Sequence, residues 1–224
     1  DSSVTGVQTC ALPILLGRGT MALGIVQIFA EKEYEVLMWV RSLDEINPRQ
    51  SVKPIERVLD RLVQKGKTTE EHMNITLSNI EIVNDLNSLR DCDLIIEAIS
   101  EDMEIKKGIF KKLDNICKEN TILATNTSSL SISEIANVTR RSDKVIGMHF
   151  FNPVPLMKLV EVIKGIATSD ETKERIIKIS KEVGKTPVEV QEAPGFVVNR
   201  ILIPMINEAV GILADGVATK EDID

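Results

Sequence analysis

Near its N-terminus the chain contains Leu15-Leu16-Gly17-Arg18-Gly19-Thr20-Met21-Ala22, and the prediction of the fold begins with these residues. An apolar run precedes the two glycines and a helical pattern follows them, so the stretch predicts a strand, a tight turn and a helix. Its order, G-x-G-x-x-A, is a fingerprint of dinucleotide binding. Gly17 permits the tight turn, Gly19 lets the backbone approach a pyrophosphate, and Ala22 allows close packing of the helix on the sheet.

The helix that follows is predicted over Thr20 to Glu31, with Thr20 and Met21 in its first turn. A helix N-terminus attracts negative charge, so these two residues are candidate cofactor contacts. Gly24 is a second small residue for close packing. The alternative is an ordinary glycine turn between a strand and a helix.

Short aliphatic or β-branched runs alternate with amphipathic stretches further along the chain. Nearly continuous apolar runs are typical of strands that are buried on both faces of a parallel sheet. The strand candidates are Ile14 to Leu16, Glu35 to Val40, Leu94 to Ala98, Thr121 to Thr125, Val145 to His149 and Leu159 to Ile163. The alternation predicts an α/β fold, a Rossmann-type doubly wound sheet.

Two later helices carry N-terminal signals. Ser131 to Glu134 and Thr168 to Glu171 both fit the capping box, in which a Ser or Thr precedes a Glu by three positions. Gly184 follows the apolar positions of the second of these helices and is a good residue to end it.

The domain organisation follows from these patterns. We expect a dinucleotide-binding domain over 15–186, with a helical hairpin inserted over 45–80, and the start of an all-α C-terminal domain over 187–224. The apolar helix pattern over Ile201 to Leu213 needs a partner, which we expect in a missing C-terminal piece. We expect residues 1–14 to be a non-native leader.

Composition excludes several classes of function. The net charge of −7 and the pI of about 5.1 argue against nucleic acid as the main partner. No apolar run reaches the roughly 20 residues that cross a bilayer, which argues against a membrane protein. The cysteines lack metal-type spacing and suggest neither disulfides nor a metal site, which favours the cytoplasm. They are Cys10, Cys92 and Cys117.

The end of the second strand bears on cofactor choice. In NAD-binding proteins an acid there binds the ribose 2′-hydroxyl. Here Trp39-Val40-Arg41-Ser42 occupies the position. Arg41 can bind a 2′-phosphate with charge-assisted hydrogen bonds and Ser42 can add a hydroxyl, which favours NADP over NAD. The alternative is a solvated Arg41, with Asp44 binding the ribose of NAD.

A histidine marks the candidate catalytic centre. His149 ends an apolar strand run, and the carboxyl ends of parallel strands are where open α/β sheets bind ligands. Asn126 to Ser129 ends the preceding strand, and Glu161 lies one strand further on. The alternative is a buried histidine of the core, but this grouping of polar residues favours chemistry.

Four ordered motifs resemble those of one family, the 3-hydroxyacyl-CoA dehydrogenases, and especially its members that act on 3-hydroxybutyryl-CoA. They are Asn126-Thr127-Ser128-Ser129-Leu130, Gly147-Met148-His149-Phe150-Phe151-Asn152-Pro153, Met157-Lys158-Leu159-Val160-Glu161 and Pro194-Gly195-Phe196-Val197-Val198-Asn199-Arg200. The resemblance covers residues 15–224. It implies hydride transfer between NADP(H) or NAD(H) and C3 of a short-chain 3-hydroxyacyl-CoA, and a homodimer in the full-length protein.

The resemblance also implies roles for single residues. His149 would be the general base that takes the 3-hydroxyl proton, or the acid in the reducing direction, for which an imidazole with an ordinary pKa of about 6.5 is suited. Glu161 would orient its ring. Ser128 and Asn199 would bind the substrate oxygens, with Asn199 stabilising the developing charge.

Further residues would contact the cofactor in the family. Glu101 and Lys106 match a stretch beside the nicotinamide ribose, and Asn126 and Asn152 would also line that site. The alternative for the first two is helix capping by Glu101, beside a solvated Lys106.

The resemblance also implies that the hairpin meets the CoA tail. Lys65 and Lys67 at its tip are then candidate substrate contacts, although lysines at such a tip are more often only solvated. Two positions depart from the family pattern. Pro13 stands where a central strand should donate a hydrogen bond, so we expect a shortened or distorted first strand. Arg18 stands where a small residue is usual.

Two other functions remain open at this point. A 3-hydroxyacid dehydrogenase without CoA would typically use a lysine as its acid and base, and the pairing of His149 with Glu161 counts against it. A non-catalytic dinucleotide-binding structural or sensor protein would keep the fold without needing His149, Glu161, Ser128 and Asn199 together.

Overall fold

A computed structural model describes residues 14–16, 19–40 and 48–224. Within them, eight strands form one sheet in the order β3-β2-β1-β4-β5-β6-β7-β8. The strands are β1 (Ile14–Leu16), β2 (Val36–Trp39), β3 (Ile80–Val83), β4 (Leu94–Ala98), β5 (Ile122–Thr125), β6 (Val145–Phe150), β7 (Leu159–Lys164) and β8 (Thr186–Gln191).

The chain runs outward from the centre of this sheet in two directions. From β1 it passes to β2 and β3 on one side, then returns to β4 on the other side of β1 and continues through β5 and β6, all in parallel. The strand β7 is antiparallel to β6, and β8 is parallel to β7. The change of direction between β1 and β4 is the switch point at which such sheets bind ligands, beside the carboxyl ends of the strands.

Helices cover both faces of the sheet. They are α1 (Thr20–Ala30), α2 (Pro48–Gln64), α3 (Glu70–Ser78), α4 (Met103–Ile116), α5 (Ile132–Ala136), α6 (Asp170–Glu182), α7 (Val198–Ala214) and α8 (Lys220–Ile223). Alternate residues of β4 enter different cores: Leu94 and Ile96 pack with α1 and α6, and Ile95 packs with α4 and α5. Burial on both faces explains the continuous apolar strands.

The α/β fold and the six strands predicted from sequence are confirmed. The hairpin over 45–80 is also present in its described part, as α2 and α3. The strands β3 and β8 were not predicted. Both lie at an edge of the sheet and are largely exposed or only half-buried, so their sequences lack the apolar run that marks the central strands.

The predicted domain boundary at 186 cuts off the last strand and is wrong in that respect. Pro187 lies inside β8 and is opposite Val160 of β7. An edge strand tolerates proline because its outward N–H groups have no ladder partner. The sheet therefore continues to Gln191.

The capping predictions have mixed outcomes. Ser131 caps α5 by accepting a hydrogen bond from the Glu134 N–H, as predicted, and Gly184 ends α6 with a φ of +78°. Thr168 is not a cap. Ser169 caps α6 instead, while the Thr168 hydroxyl donates to the Val145 carbonyl, so the two adjacent hydroxyls were assigned in the wrong order.

The helix α7 continues through Pro204, and none of its residues is buried. Ile201, Ile203 and Met205 are among its exposed apolar side chains. This fits the expectation that the helix needs a partner surface. In the described part of the chain, no helix is long and apolar enough to cross a membrane.

The helix α1 packs closely against the segment that follows β6. Ala22 is buried as predicted, but Gly24 faces this segment rather than the sheet. A Cβ on Gly24 would lie 2.7 Å from the Val154 Cβ and 3.3 Å from the Pro155 Cδ. Real Cβ atoms do not approach so closely, so this position requires glycine.

We therefore expect Gly24→Ala to lower the free energy of unfolding by about 1–3 kcal/mol, because the added methyl group overpacks the contact with Val154. Gly108→Ala is the matched control. Gly108 also lies inside a helix, but no atom stands within 4 Å of its added Cβ, so this change should stabilise by about 0.5–1 kcal/mol. Urea unfolding measures both, and equal effects at the two glycines would contradict the packing argument.

Candidate active site

A cavity of about 850 Å³ lies at the carboxyl ends of the central strands, beside the start of α1. It is lined by Gly19, Thr20, Met21, Ala98, Ile99, Ser100, Glu101, Asn126, Ser128, His149, Phe150, Phe151, Asn152, Val198, Asn199 and Leu202. The sheet therefore brings together residues that lie far apart in the sequence. This is the position that the switch point predicts for a ligand.

Most of the predicted site residues that the structure describes line this cavity or lie directly behind its lining. Glu161, Ala22 and Lys106 are buried behind its lining. The predictions for Gly17, Arg41 and Ser42, with those for Pro13, Arg18 and Asp44, fall outside the described residues.

The strand register creates the central pair. His149 and Glu161 are directly opposite each other on the antiparallel strands β6 and β7. Side chains of such cross-strand partners lie on the same face of the sheet. The His149 Nδ1 is 2.7 Å from the Glu161 Oε2, and the two residues are 6% and 1% exposed. A carboxylate on Nδ1 fixes the ring orientation and leaves Nε2 to serve the cavity.

The second oxygen of Glu161 binds the start of α7. The Glu161 Oε1 accepts hydrogen bonds from the N–H groups of Val197 and Val198, each at 2.9 Å. These groups are presented by a turn in which Gly195 and Phe196 both have a positive φ. One buried carboxylate thus orients the histidine and anchors the helix that carries Asn199.

Two aromatic rings enclose the histidine, and neither could be assigned a role from sequence beyond membership in the motifs. The Phe151 ring centroid is 4.5 Å from that of His149, and the Phe196 centroid is 5.8 Å away. Rings at these distances pack against the imidazole and restrict its rotation. The positive φ of Phe196 could not be foreseen from its residue type, because non-glycine residues rarely adopt it.

The two predicted substrate-binding residues meet at the other side of the cavity. The Asn199 Nδ2 donates a hydrogen bond to the Ser128 carbonyl at 3.1 Å. The Ser128 hydroxyl donates to the Glu101 Oε1 at 3.1 Å, and its N–H donates to the same oxygen at 2.8 Å. The Thr127 hydroxyl joins them at 2.6 Å. Glu101 therefore organises the segment that follows β5.

The environment of Glu101 acts on its pKa in two directions. Burial alone would raise the pKa, but hydrogen bonds from Thr127 and Ser128 and the positive charge of Lys106 outweigh it and lower the pKa below its ordinary value. The carboxylate is therefore ionised at neutral pH. It is not the cap of α4, because Asp102 accepts the capping hydrogen bond from the Ile105 N–H.

The alternative of a solvated Lys106 is wrong. Its side chain is 1% exposed, and its Nζ lies 2.7 Å from the Glu97 Oε1 and 3.5 Å from the Glu101 Oε2. Helical spacing places Lys106 on the inner face of α4. Its burial could not be foreseen from sequence, because a lysine is usually exposed. It reaches the cavity only through Glu101.

The cavity has features that fit a dinucleotide. At Gly19 the backbone φ is −79°, and no atom of the described residues beyond its chain neighbours lies within 4 Å of an added Cβ, so the described part of the chain does not require glycine there. A glycine is explained if a ligand approaches this backbone at the start of α1. Asn152 also faces the cavity, and the Asn126 Oδ1 is held by the Phe150 N–H at 2.9 Å.

A second cavity of about 810 Å³ lies between α1, α2 and the segment after β6, and it shares Thr20 and Asn152 with the first. Its lining is largely apolar and includes Lys65, whereas Lys67 lies outside it. Lys185, which is buried, holds the shared wall: its Nζ donates to the carbonyls of Val154 and Met157.

The described part of the chain contains no group of three or more His, Cys, Asp or Glu residues that could hold a metal ion. Cys92 and Cys117 are both buried free thiols.

Fold and site together define a dinucleotide-binding α/β protein with a buried His–Glu pair at the switch point. Comparison with known proteins gives the family. The profile of the 3-hydroxyacyl-CoA dehydrogenase NAD-binding domain matches residues 14–193, and that of the C-terminal domain of the same family matches residues 195–224. The chain belongs to the 3-hydroxyacyl-CoA dehydrogenase family, an enzyme family of oxidoreductases, as the motifs suggested.

Individual relatives agree. A 3-hydroxybutyryl-CoA dehydrogenase from Clostridioides difficile is 56% identical over 94% of this chain and 74% of its own length. The human mitochondrial hydroxyacyl-coenzyme A dehydrogenase is 43% identical over 94% of the chain and 68% of its own length. The crystal structure of the (S)-3-hydroxybutyryl-CoA dehydrogenase from Ralstonia eutropha superposes with a TM-score of 0.91 at 44% identity, covering 96% of this chain and 75% of that one.

The lowered pKa of Glu101 predicts a pH dependence of stability. A carboxyl with a lowered folded-state pKa stabilises the fold above its ordinary pKa of 4.5 and loses that contribution as the pH falls through the lowered value. We therefore expect the difference in unfolding free energy between the unmodified chain and Glu101→Gln to shrink as the pH falls below about 4.5.

Urea unfolding at a series of pH values measures this difference. Thr127→Val removes one donor to the carboxylate, so in that background the dependence on Glu101 should be weaker. A difference that stays constant through the acid range would contradict the assignment.

Proposed function

We propose that the chain interconverts short-chain 3-hydroxyacyl-CoA and 3-oxoacyl-CoA, with 3-hydroxybutyryl-CoA and acetoacetyl-CoA as the substrate pair. The observation that carries the proposal is the buried pair of His149 and Glu161 in a cavity at the switch point of the sheet. The relatives named 3-hydroxybutyryl-CoA dehydrogenase support the choice of substrate.

His149 moves the proton. A bound nicotinamide supplies the hydride for reduction and accepts it for oxidation. As the hydride leaves C3 of the alcohol, the His149 Nε2 takes the proton of the 3-hydroxyl, and the C–O bond becomes a carbonyl. In reduction the same nitrogen returns a proton to the oxygen. Nε2 is available because Nδ1 is committed to Glu161.

Glu161 supports this step without touching substrate. Its carboxylate lies 2.7 Å from the Nδ1 of His149 and stabilises the imidazolium that forms when Nε2 is protonated. Its other hydrogen bonds, from Val197 and Val198, prevent the carboxylate from turning away from the ring.

Ser128 and Asn199 bind the substrate oxygens. The amide of Asn199 has two N–H groups and uses one on the Ser128 carbonyl, so the second can donate to the oxygen at C3 and stabilise its developing charge. The Ser128 N–H keeps the residue on Glu101, so its hydroxyl, 3.1 Å from the same carboxylate, can turn into the cavity and donate to the oxygen at C3. The single proton of the 3-hydroxyl is then left for His149.

The start of α1 and the walls of the cavity bind the cofactor. Gly19, Thr20 and Met21 lie where the N-terminus of α1 attracts a pyrophosphate, and Glu101 and Asn152 line the part nearer to His149. We favour NADP over NAD on the sequence of the second strand end, where Arg41 and Ser42 offer a positive charge and a hydroxyl. By its place in the fingerprint motif, Gly17 is a further proposed contact of the cofactor.

The second cavity suits the CoA arm. Its apolar lining fits the pantetheine chain, and Arg61 and Lys65 at its rim can bind phosphate groups. Thr20 and Asn152 belong to both cavities, so an acyl thioester can reach His149 from there. Lys67 lies on the same turn between α2 and α3 and would act only on the outer part of the CoA.

We also propose that the full-length protein is a cytoplasmic homodimer. The exposed apolar residues of α7, such as Ile201, Ile203 and Met205, form a surface that a C-terminal domain and a second copy would cover. The buried free thiols of Cys92 and Cys117 are compatible with a reducing compartment.

We expect His149→Gln to abolish reduction of acetoacetyl-CoA and to leave the dissociation constant of the cofactor within a few-fold, because glutamine keeps a polar side chain but cannot shuttle the proton. The measurements are cofactor oxidation by absorbance and cofactor binding by fluorescence. His72→Gln, at the other histidine, is the control and should keep full turnover. Turnover that survives the change at His149 would remove this residue from the mechanism.

We expect Arg41→Asp to shift the ratio of kcat/KM for NADPH to kcat/KM for NADH by at least about tenfold toward NADH, since a carboxylate repels the 2′-phosphate and can accept from a 2′-hydroxyl. Steady-state assays with both cofactors and acetoacetyl-CoA measure the ratio. Arg90→Asp changes the charge equally at an exposed position outside the cavity and should not move it. An unchanged ratio in Arg41→Asp would refute the role of this arginine.

A further inference from the structure

A buried ion pair lies beneath the floor of the active-site cavity. Glu97 near the end of β4 is 0% exposed and Lys106 on α4 is 1% exposed. The Lys106 Nζ lies 2.7 Å from the Glu97 Oε1. Neither residue lines the cavity, and the proposed mechanism gives neither of them a step.

Glu97 holds the strand ends around the cavity as well as the lysine. Its Oε1 also accepts a hydrogen bond from the Ile99 N–H at 2.7 Å, and its Oε2 accepts one from the Thr125 hydroxyl at 2.7 Å. Ile99 belongs to the cavity wall, and Thr125 ends β5 just before Asn126. Both carboxylate oxygens therefore accept hydrogen bonds from inside the protein.

Lys106 connects Glu97 to the cavity through Glu101. Its Nζ is 3.5 Å from the Glu101 Oε2, while the Glu101 Oε1 accepts from Thr127 and from both the N–H and the hydroxyl of Ser128. The Ser128 carbonyl in turn accepts from Asn199. An unbroken series of contacts thus leads from the buried pair to the residues that would hold the substrate oxygen.

The unequal distances to the two carboxylates are informative. Lys106 is closer to Glu97 than to Glu101, so its ion pair with Glu97 is the stronger of the two. Without Glu97, Lys106 would have one carboxylate left and would pull Glu101 toward itself, away from Ser128. Stability alone is a weak reason for such a pair, because apolar residues of similar volume often replace a buried ion pair without loss.

We propose that Glu97 is a positioning residue of the active site, which holds Lys106 at the distance where its positive charge keeps Glu101 in place to orient Ser128 without drawing Glu101 away from it. The inference rests on the proposed function for its catalytic consequence. Its structural part, the control of Ser128 by Glu97 through Lys106 and Glu101, stands on the contacts alone.

The experiment separates positioning from stability by means of three variants, Glu97→Gln, Lys106→Met and the double variant. Each single change leaves the other charge buried without its partner, so both should lower the melting temperature. The double variant removes both charges and should recover most of that loss. Its kcat with acetoacetyl-CoA should nevertheless stay at least tenfold below that of the unmodified chain, since Glu101 has lost its cation.

A kcat that recovers together with the melting temperature would overturn the proposal and leave the pair a structural role only. Lys107→Met is the matched control, because Lys107 is the next residue on α4 and pairs with Glu104 and Glu134 outside the network. It should keep kcat within twofold.

A second measurement does not depend on turnover. Amide hydrogen exchange followed by NMR should show the Ser128 N–H exchanging at least tenfold faster in the double variant, whereas Lys107→Met leaves it unchanged. Unchanged protection of Ser128 in the double variant would overturn the proposal even in a chain that turns over no substrate. Absence of turnover in the unmodified chain would count against the proposed function alone.

Discussion

The rest of the site depends on the carboxylate of Glu161. It is 1% exposed and accepts three hydrogen bonds or contacts, one from His149 and two from the start of α7. A buried charge is costly unless such partners are all in place, so the carboxylate fixes the histidine and the helix at once. The antiparallel register of β6 and β7 makes this possible, since it sets the two side chains opposite each other. The reversed direction of β7 and β8 relative to the other strands thus creates the pairing of His149 with Glu161.

Other buried or half-buried glutamates at the carboxyl ends of the strands also bind neighbouring segments. Glu97, Glu101 and Glu161 each bind neighbouring strand ends or loops through their carboxylate oxygens. Glu101 restrains Ser128 and Glu161 restrains His149, while Glu97 holds the backbone of Ile99 in the cavity wall. In an acidic protein these carboxylates could weaken the binding of an anionic cofactor. Two of them share the charge of Lys106, and the first turn of α1 contains no acidic residue. Among the described residues, the start of α1, where we propose that phosphates bind, therefore carries no acidic side chain of its own.

Much of the fold and part of the candidate site could be predicted from sequence, because they depend on local patterns. The buried strands and the cap at Ser131 depend on residues close in sequence, and the position of His149 follows from the strand that contains it. What escaped prediction depends on tertiary contacts. The edge strand that contains Pro187 carries little apolar signal, and a lysine such as Lys106 gives no sign of burial until its partner is known.

Contacts far from His149 hold the segment after β6, which forms a wall of both cavities. Thr20 and Asn152 line both, so the wall after β6 determines how the thioester would approach His149. On one side this wall rests against Gly24, where no larger residue fits. On the other side the ammonium of Lys185 donates to two of its carbonyls, although burial lowers the pKa of this lysine and makes its charge costly to keep. A buried cation that satisfies backbone oxygens is explained if the wall must hold one position. Selection for the reaction would then act on residues that touch neither substrate nor cofactor.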